Sequence, residues 1–347
     1  MNAAIPAYRD WDSLERAFGT PPLSAVFKQR PEDFHVDEIL GFEADGNGEH
    51  LLLHVEKTGL TTFEAQAMLA RHYGVALRDT AFAGMKDKQG VTRQWFSVPA
   101  RKDSPPETPQ LPGLSILGSA RNSRKLRRGS HRANRFRIVL RAPAGDRDVI
   151  RARIETVAAR GVPNYFGAQR FGRDEANVPA ALAWFRGESP PARQQRSLLL
   201  SAARSYLFNM LLARRVRDGN WDRWIDGDVM ALAGTASTFA CSRAGVDELQ
   251  RRLADFDIHA TGPLWGKDMP ATTGAALALE SALATEYAEL CDGLAAQGLE
   301  QERRPLRVQV SGLQAQFDDD ALVLEFSLVR GAYATAVLRE LLQPGFA

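Results

Sequence analysis

Strand-like sequence lies at both ends of this chain, and a mainly helical pattern lies between. Short strands are indicated over residues 25–98, and after residue 305 alternation returns in LRVQVSG and ALVLEFSLVR. These last strands need partners to form a sheet, and the early strands are available. The sequence therefore predicts an α+β fold: a mixed β-sheet flanked by helices, built from both ends of the chain and interrupted by a more helical insertion.

Local signals place the helices. Thr61 and Glu64 form a capping-box pattern that begins the helix FEAQAMLARHY, and Asp146 and Gly161 bound a second helix, RDVIRARIETVAAR. Between residues 165 and 300 the helical patterns are RSLLLSAARSYLFNMLLARRV, VDELQRRLADF and GAALALESALATEYAELC, and a final helix is predicted in ATAVLRELL. Breaks at the proline-rich segment 102–113 and at RGVPNYFG suggest that 1–160 and 305–347 form one domain around an insertion at 161–304.

Composition excludes several classes of protein. The 347 residues suffice for roughly two domains with buried cores. Cys241 and Cys291 are the only cysteines and lie far apart, so neither a disulfide framework nor a thiolate zinc site is expected. The first residues carry Trp, Pro and charges where a signal peptide is apolar, and no apolar stretch of about 18 residues occurs. We expect a cytoplasmic protein with no membrane segment.

Basic residues are concentrated in one segment of an almost neutral chain, whose formal charge is +2. No acidic residue occurs between residues 108 and 145, where the basic residues are Arg121, Arg124, Lys125, Arg127, Arg128, Arg132, Arg135, Arg137 and Arg141. This density predicts contacts with phosphate groups and hence a nucleic-acid partner. The residues expected to contact the nucleic-acid backbone are Arg124, Lys125, Arg127, Arg128 and Arg132. A solvated surface with acidic partners nearby in space is the alternative, and it stays open.

The strand NRFRIVLR within this segment has two different faces. Asn134 and Phe136 share one face, whereas Arg135 and Arg137 lie on the other. We therefore expect a half-buried strand with one basic face, which could itself follow a nucleic-acid backbone.

The turn GMKDKQG places Asp87 between Lys86 and Lys88. Two flanking lysines favour an ionised carboxylate, which suits nucleophilic or base catalysis. An Asx turn, in which Asp87 only bonds its own backbone, is the alternative that local sequence favours. The aromatic segment NYFGAQRFG is equally open, since it could stack bases or pack a seam between domains. The chain has no HExxH, GxxxxGK[ST], GxSxG or complete GxGxxG motif.

Three motifs carry a family resemblance. GMKDKQGVTRQWF, VPNYFGAQRFG and GAYATAVLREL, in this order, resemble the motifs of TruD-type tRNA pseudouridine synthases. FKQRPEDFHVDEI and the NRF triplet at 134–136 fit the same family, so the similarity covers about residues 27–341. The resemblance implies a pseudouridine-synthase catalytic domain with the family's inserted domain. It also implies isomerisation of a flipped-out uridine-13 in the tRNA D arm, without cofactor or metal.

The resemblance also assigns roles to individual residues. Asp87 matches the catalytic nucleophile, and we treat Lys28 as a candidate charge partner of its carboxylate. The residues that match contacts with the substrate are Phe34, Asn134, Phe136 and Tyr333. Gly90 departs from the alanine that members often carry, and Tyr333 from the phenylalanine of some. tRNA is the implied partner; no protein partner is implied, and a monomer is expected.

Two other functions stay open from the sequence. A non-catalytic RNA-binding or RNA-folding protein would use the basic segment and the aromatic side chains and would tolerate loss of Asp87. A carboxylate-pair glycoside hydrolase would need a second acid across the scissile bond. The candidates for that acid are Glu32, Asp33, Asp37 and Glu38.

Overall fold

A computed structural model describes residues 9–99, 110–241, 245–268 and 271–345. The strands are β1 (Ser24–Val26), β2 (Phe34–Leu40), β3 (His50–Thr58), β4 (Ala81–Phe82), β5 (Val91–Pro99), β6 (Gln110–Leu111), β7 (Leu114–Asn122), β8 (His131–Ala144), β9 (Val162–Pro163), β10 (Val229–Leu232), β11 (Thr238–Ala240), β12 (Ile258–Leu264), β13 (Glu302–Pro305), β14 (Arg307–Val308), β15 (Ser311–Phe317) and β16 (Ala321–Val329). The helices are α1 (Thr62–His72), α2 (Arg147–Arg160), α3 (Asn177–Phe185), α4 (Arg193–Arg217), α5 (Val246–Ala254), α6 (Gly274–Glu286), α7 (Ala288–Ala296) and α8 (Ala334–Leu341). Most of the proline-rich segment lies outside the described residues.

A ten-stranded sheet dominates the described part of the chain. Its order is β15-β16-β8-β2-β5-β3-β7-β6, with β1 against β8 and β4 against β5. The β2–β5 pair is parallel and the other pairs are antiparallel, so the sheet is mixed. The late strand β16 pairs with β8, from Ala321 opposite Arg141 to Val329 opposite Ala133. The predicted α+β fold with a mixed sheet completed by the C-terminal strands is confirmed.

One face of this sheet is buried at both ends and open in the middle. At one end, Ala65 and Leu69 of α1 pack on Leu53 and Phe96. At the other end, α2 and α8 pack through residues such as Ile154 on the inner face of β8 and β16. A cleft therefore remains over β2 and β8, between the two helical layers.

The predicted start of α1 and the predicted ends of α2 are confirmed. The Thr61 hydroxyl accepts from the Glu64 amide at 3.1 Å, and the Glu64 carboxylate accepts from the Thr61 amide at 2.6 Å. Asp146 caps α2 by accepting from two backbone amides, and Gly161 ends that helix with a φ of 70°. Only glycine adopts this left-handed conformation at little cost. No helix among the described residues is both long and apolar enough to cross a membrane.

The region between residues 165 and 300 differs from the sequence prediction in two respects. It was expected to lack strands, yet β10, β11 and β12 lie there and form an antiparallel sheet with β13, in the order β11-β10-β12-β13. GAALALESALATEYAELC was expected to be one helix, but α6 and α7 are separated at Tyr287, where φ is −114° and ψ is 37°. The buried Tyr287 ring packs on Tyr206, with centroids 5.8 Å apart. Packing of this ring therefore coincides with the interruption of the helix.

The long helix α4 is joined to the segment before the cleft by one buried amide. The Asn209 side chain accepts from the Phe166 amide and donates to the Phe166 carbonyl, both at 2.9 Å. Asn209→Leu leaves both backbone groups without a partner, so we expect a loss of about 2–4 kcal/mol in the free energy of unfolding. Urea denaturation measures it, and an unchanged midpoint would contradict this role.

Candidate active site

Asp87 lies in the turn between β4 and β5, at the floor of the cleft. Its carboxylate accepts a hydrogen bond from the Lys28 ammonium at 2.9 Å, and 44% of its side chain remains exposed. Lys28 has a φ of 54°, a strained conformation for a non-glycine residue. The Asx-turn alternative for Asp87 is therefore not supported, because its carboxylate pairs across the fold with Lys28 and faces solvent.

The structure brings the six candidate residues of the sequence analysis to one cleft of about 500 Å³. They are Lys28, Phe34, Asp87, Asn134, Phe136 and Tyr333. Asn134 and Phe136 share the inner face of β8, as their spacing predicted. The Oδ1 atom of Asn134 is buried and has no hydrogen-bond donor among the described residues. It is therefore an available acceptor beside the exposed carboxylate.

The aromatic rings of the cleft differ in accessibility. Phe34 and Phe136 are buried, with centroids 6.1 Å apart. The Lys28 ammonium lies over the Phe34 ring, 3.9 Å from its centroid, and Phe326 stacks on Phe136 at 5.3 Å. Tyr333 is more exposed than these two phenylalanines. Tyr333 therefore offers a more accessible flat surface than Phe34 or Phe136 does.

Sequence reasoning did not identify Arg170, which also lines the cleft. Its guanidinium donates to the Tyr333 hydroxyl and, at 2.9 Å, to the Ser201 hydroxyl of α4. Arg170 thereby fixes Tyr333 to α4, and a phenylalanine at position 333 would lack this bond. Of the motif NYFGAQRFG, Tyr165 and Phe171 are buried in the adjacent core. The packing alternative for these aromatic residues is therefore correct, and their rings are not available for stacking.

Steric crowding by Phe34 explains the glycine at position 90. Its φ is 157°, and a Cβ atom there would lie 2.7 Å from the Phe34 carbonyl oxygen. Alanine would therefore force the turn away from β2, so Gly90 allows the turn to pack closely against Phe34.

The basic segment divides into two sets with different surroundings. Arg137 lies on the face of the sheet opposite the cleft, which we call the open face. It pairs with Glu325 at 3.5 Å, and Arg141 pairs with Asp33 at 2.6 Å. Arg135 shares the open face and lies opposite Asp37 in the register with β2. The predicted two faces of this strand are thus present, with Arg135 and Arg137 opposite Asn134 and Phe136 and close to acidic residues. That this basic face follows a nucleic-acid backbone stays a prediction.

The loop before β8, residues 123–130, is different. None of the five residues predicted to contact the nucleic-acid backbone forms an ion pair with a described residue; they are Arg124, Lys125, Arg127 and Arg128 of this loop and Arg132 of β8. The loop lies beside the turn that carries Asp87, since the Gly129 amide donates to the Ala83 carbonyl at 2.7 Å. It also borders a larger open cavity of about 810 Å³ that contains none of the candidate catalytic residues. Unpaired positive charge thus lies next to the cleft.

None of the four acids proposed for a glycoside hydrolase, Glu32, Asp33, Asp37 and Glu38, lines the cleft with Asp87. Glu38 is buried and paired with Lys86, Asp33 is paired with Arg141, and Asp37 lies on the open face near His54. Asp87 is the one carboxylate that lines the cleft among the described residues. The cleft therefore lacks the second carboxylate that a glycoside hydrolase needs across the scissile bond, among the residues that the structure describes.

Comparison with known proteins adds three findings. A profile of "tRNA pseudouridine synthase D (TruD)" matches residues 14–179 and 190–341. The chain is 46% identical to "tRNA pseudouridine synthase D" of Pseudomonas putida (strain W619), over 94% of this chain and 93% of the relative. It is 44% identical to the protein of the same description in Methylococcus capsulatus (strain ATCC 33009 / NCIMB 11132 / Bath), over 96% and 95%. The crystal structure of a putative tRNA pseudouridine synthase D (TruD) from Methanosarcina mazei has a similar fold, with a TM-score of 0.76 at 23% identity and 98% coverage of both chains.

Proposed function

The chain belongs to the TruD family of tRNA pseudouridine synthases, and from this premise we propose that it isomerises uridine-13 of the tRNA D arm with Asp87 as the nucleophile. The enzyme class and the tRNA substrate follow from the family. The proposal adds the position of the uridine and the roles of the residues in the cleft. The observation that carries it is the exposed Asp87 carboxylate, held by Lys28 beside the unpaired Asn134 oxygen.

The reaction requires a group that can bond and then leave. The N1–C1′ bond breaks, the uracil turns, and a C5–C1′ bond forms; the C5 proton is released and N1 regains a proton. No electrons are gained or lost overall. A carboxylate can add to C1′ or to C6, or can remove a proton from the sugar, and then be released. All three routes place the same demand on the protein, which is an ionised oxygen within reach of the nucleotide.

Capture of the base requires compensation for unstacking. Flipping a base out of its helix costs a few kcal/mol, and stacking on each aromatic side chain returns about 1–3 kcal/mol. Tyr333 offers a half-buried ring, and Phe136, which stacks on Phe326, offers a second ring in the lining of the cleft. The Asn134 oxygen can accept a hydrogen bond from the N3–H of uracil, which gives this acceptor the donor that it lacks.

The adjacent loop suits the RNA backbone. Arg124, Arg127 and Arg128 are exposed, and each can contact a phosphate without first breaking an ion pair. Such contacts orient the RNA so that the target nucleotide enters the cleft, while the contacts within the cleft recognise the base.

Carbodiimide labelling of an unmodified tRNA transcript tests the proposal. After incubation, labelling that resists mild alkali identifies pseudouridine, although the mass of the RNA is unchanged. We expect such labelling with the wild-type protein. Bound but unmodified tRNA would instead support the non-catalytic RNA-binding alternative.

Phe136→Leu should weaken base capture while the fold is retained. Leucine keeps most of the buried apolar volume between Phe34 and Phe326 but loses the flat ring. We expect a roughly 5- to 150-fold decrease in kcat/KM, since one stacking contact contributes about 1–3 kcal/mol. Unchanged kinetics would remove Phe136 from the account of base capture. Val139→Leu, on the other face of β8, is the control.

A further inference from the structure

Three buried polar side chains hold the backbone of the catalytic turn from beneath. Gln94 of β5 donates to the Gly84 carbonyl at 3.1 Å, and Thr62 of α1 accepts from the Lys86 amide at 2.9 Å. The Lys57 ammonium of β3 donates to the carbonyl of Asp87 itself, at 2.8 Å. None of the three side chains is more than 2% exposed. We call Lys57, Thr62 and Gln94 the turn cradle.

The turn cradle is internally connected. The Thr62 hydroxyl and the Gln94 side-chain oxygen lie 3.1 Å apart in a hydrogen bond. Lys57 also donates to the Leu60 carbonyl, at 2.7 Å, at the end of the β3–α1 connection. Three separate elements thus meet under one short turn, each fixing a different backbone group of it.

A buried ammonium is a costly way to fill a core position. Burial lowers the pKa of Lys57 to about 8, and the nearby Asp87 opposes this decrease. An apolar residue would avoid the desolvation of the charge. Core stability alone therefore does not explain a lysine at position 57. Its ammonium contacts the backbone carbonyl of Asp87, the residue with the exposed carboxylate.

We propose that Lys57, Thr62 and Gln94 are positioning residues that aim the Asp87 carboxylate into the cleft, an inference that rests on the proposed role of Asp87. The only side-chain contact of that carboxylate in the described structure is with Lys28, itself partly exposed. The backbone of the turn must therefore set the direction of the Asp87 side chain. A displacement of a reacting group by about 1 Å can cost roughly 100-fold in rate.

Lys57→Met is the first test, because methionine has a similar length and no charge. We expect the single-turnover rate of pseudouridine formation to fall roughly 30- to 100-fold, while the Kd for tRNA stays within about two-fold. Lys267→Met, an exposed lysine outside the cleft, is the control and should keep the wild-type rate.

The pH profile separates positioning from a merely structural role. The charged groups that act on the Lys57 ammonium are Asp87 and Lys86 of the turn and Glu64 of α1. Below its pKa of about 8 Lys57 is an ammonium, and above it the charge that binds the Asp87 carbonyl is lost. The wild-type rate should therefore fall several-fold as the pH rises through this value, and the rate of Lys57→Met should lack this decrease.

Thr62 provides a second, isosteric test should Lys57→Met fail to fold. Thr62→Val removes the hydroxyl that accepts from the Lys86 amide, and we expect at least a ten-fold lower rate. Thr62→Ser keeps the hydroxyl and should restore most of it. Thr261→Val is the matched control, since Thr261 is equally buried and its hydroxyl donates to the Val229 carbonyl in the smaller sheet.

The outcomes distinguish this inference from the proposed function. Wild-type rates in folded Lys57→Met or Thr62→Val would overturn the positioning role. Equal losses of rate in Thr62→Val and Thr62→Ser would also overturn it. The same holds if the rate of Lys57→Met still falls as the pH rises through about 8. If Asp87→Asn, assayed in parallel, were inactive in those cases, the proposed function would still stand. An active Asp87→Asn would overturn both.

Discussion

Asp87→Asn should reduce the rate of pseudouridine formation by at least about four orders of magnitude, because an amide keeps the shape of the carboxylate but is a poor nucleophile. The affinity for tRNA should stay within a few-fold of wild type, since the basic loop and the aromatic rings are unchanged. Single-turnover release of tritium from C5 of labelled uridine in tRNA measures the rate, and filter binding measures the affinity.

The control for this variant is Asp37→Asn. Asp37 is also a partly exposed carboxylate paired with a basic side chain, His54 at 3.4 Å, but it lies on the open face of the sheet. Its loss should leave the rate unchanged. Turnover by Asp87→Asn within about ten-fold of wild type would exclude nucleophilic catalysis by residue 87.

Reversal of two charges in the loop should have the largest effect on the affinity for tRNA. In Arg124→Glu/Arg127→Glu, two exposed and unpaired guanidinium groups become acidic. We expect the Kd for tRNA to rise at least about ten-fold at 0.1 M salt, and the slope of log Kd against log salt to become shallower by about two, one for each lost phosphate contact.

Arg135→Glu/Arg137→Glu is the matched control on the neighbouring strand. It changes the net charge equally, but its positions lie on the open face, where Arg137 already pairs with Glu325. Its salt slope should equal that of the wild type. If the two double variants weakened binding equally, the effect would be one of net charge, and the loop would have no specific role.

Some parts of the site were predictable from sequence because they depend on local rules. The two-residue spacing of a strand places Asn134 and Phe136 on one face of β8, and the structure has them there. The capping box at Thr61 likewise fixes where α1 begins. The Asp87 turn was visible as a motif, but its partner Lys28 is 59 residues away and was found only through the family resemblance.

Other parts depend on contacts that no local pattern reports. The strands β10, β11 and β13 have four residues or fewer, too short for a clear alternation, and they are stable only as neighbours in a sheet. In the sequence, Lys57 cannot be distinguished from a solvent-exposed lysine of a strand. Only the fold brings its ammonium to the Asp87 carbonyl, which is 30 residues away. Arg170 was hidden in the same way, because its partner Tyr333 is distant in sequence.

The most direct test of the account maps the modified nucleotide. A tRNA transcript with uridine at position 13 is incubated with the wild-type protein, labelled with carbodiimide and read by primer extension. We expect a carbodiimide-dependent stop one nucleotide 3′ of position 13, which marks an adduct at that uridine. This stop should be absent after incubation with Asp87→Asn and absent from a transcript with cytidine at position 13. Adducts at other positions only, or an adduct at position 13 produced by Asp87→Asn, would contradict the proposed function.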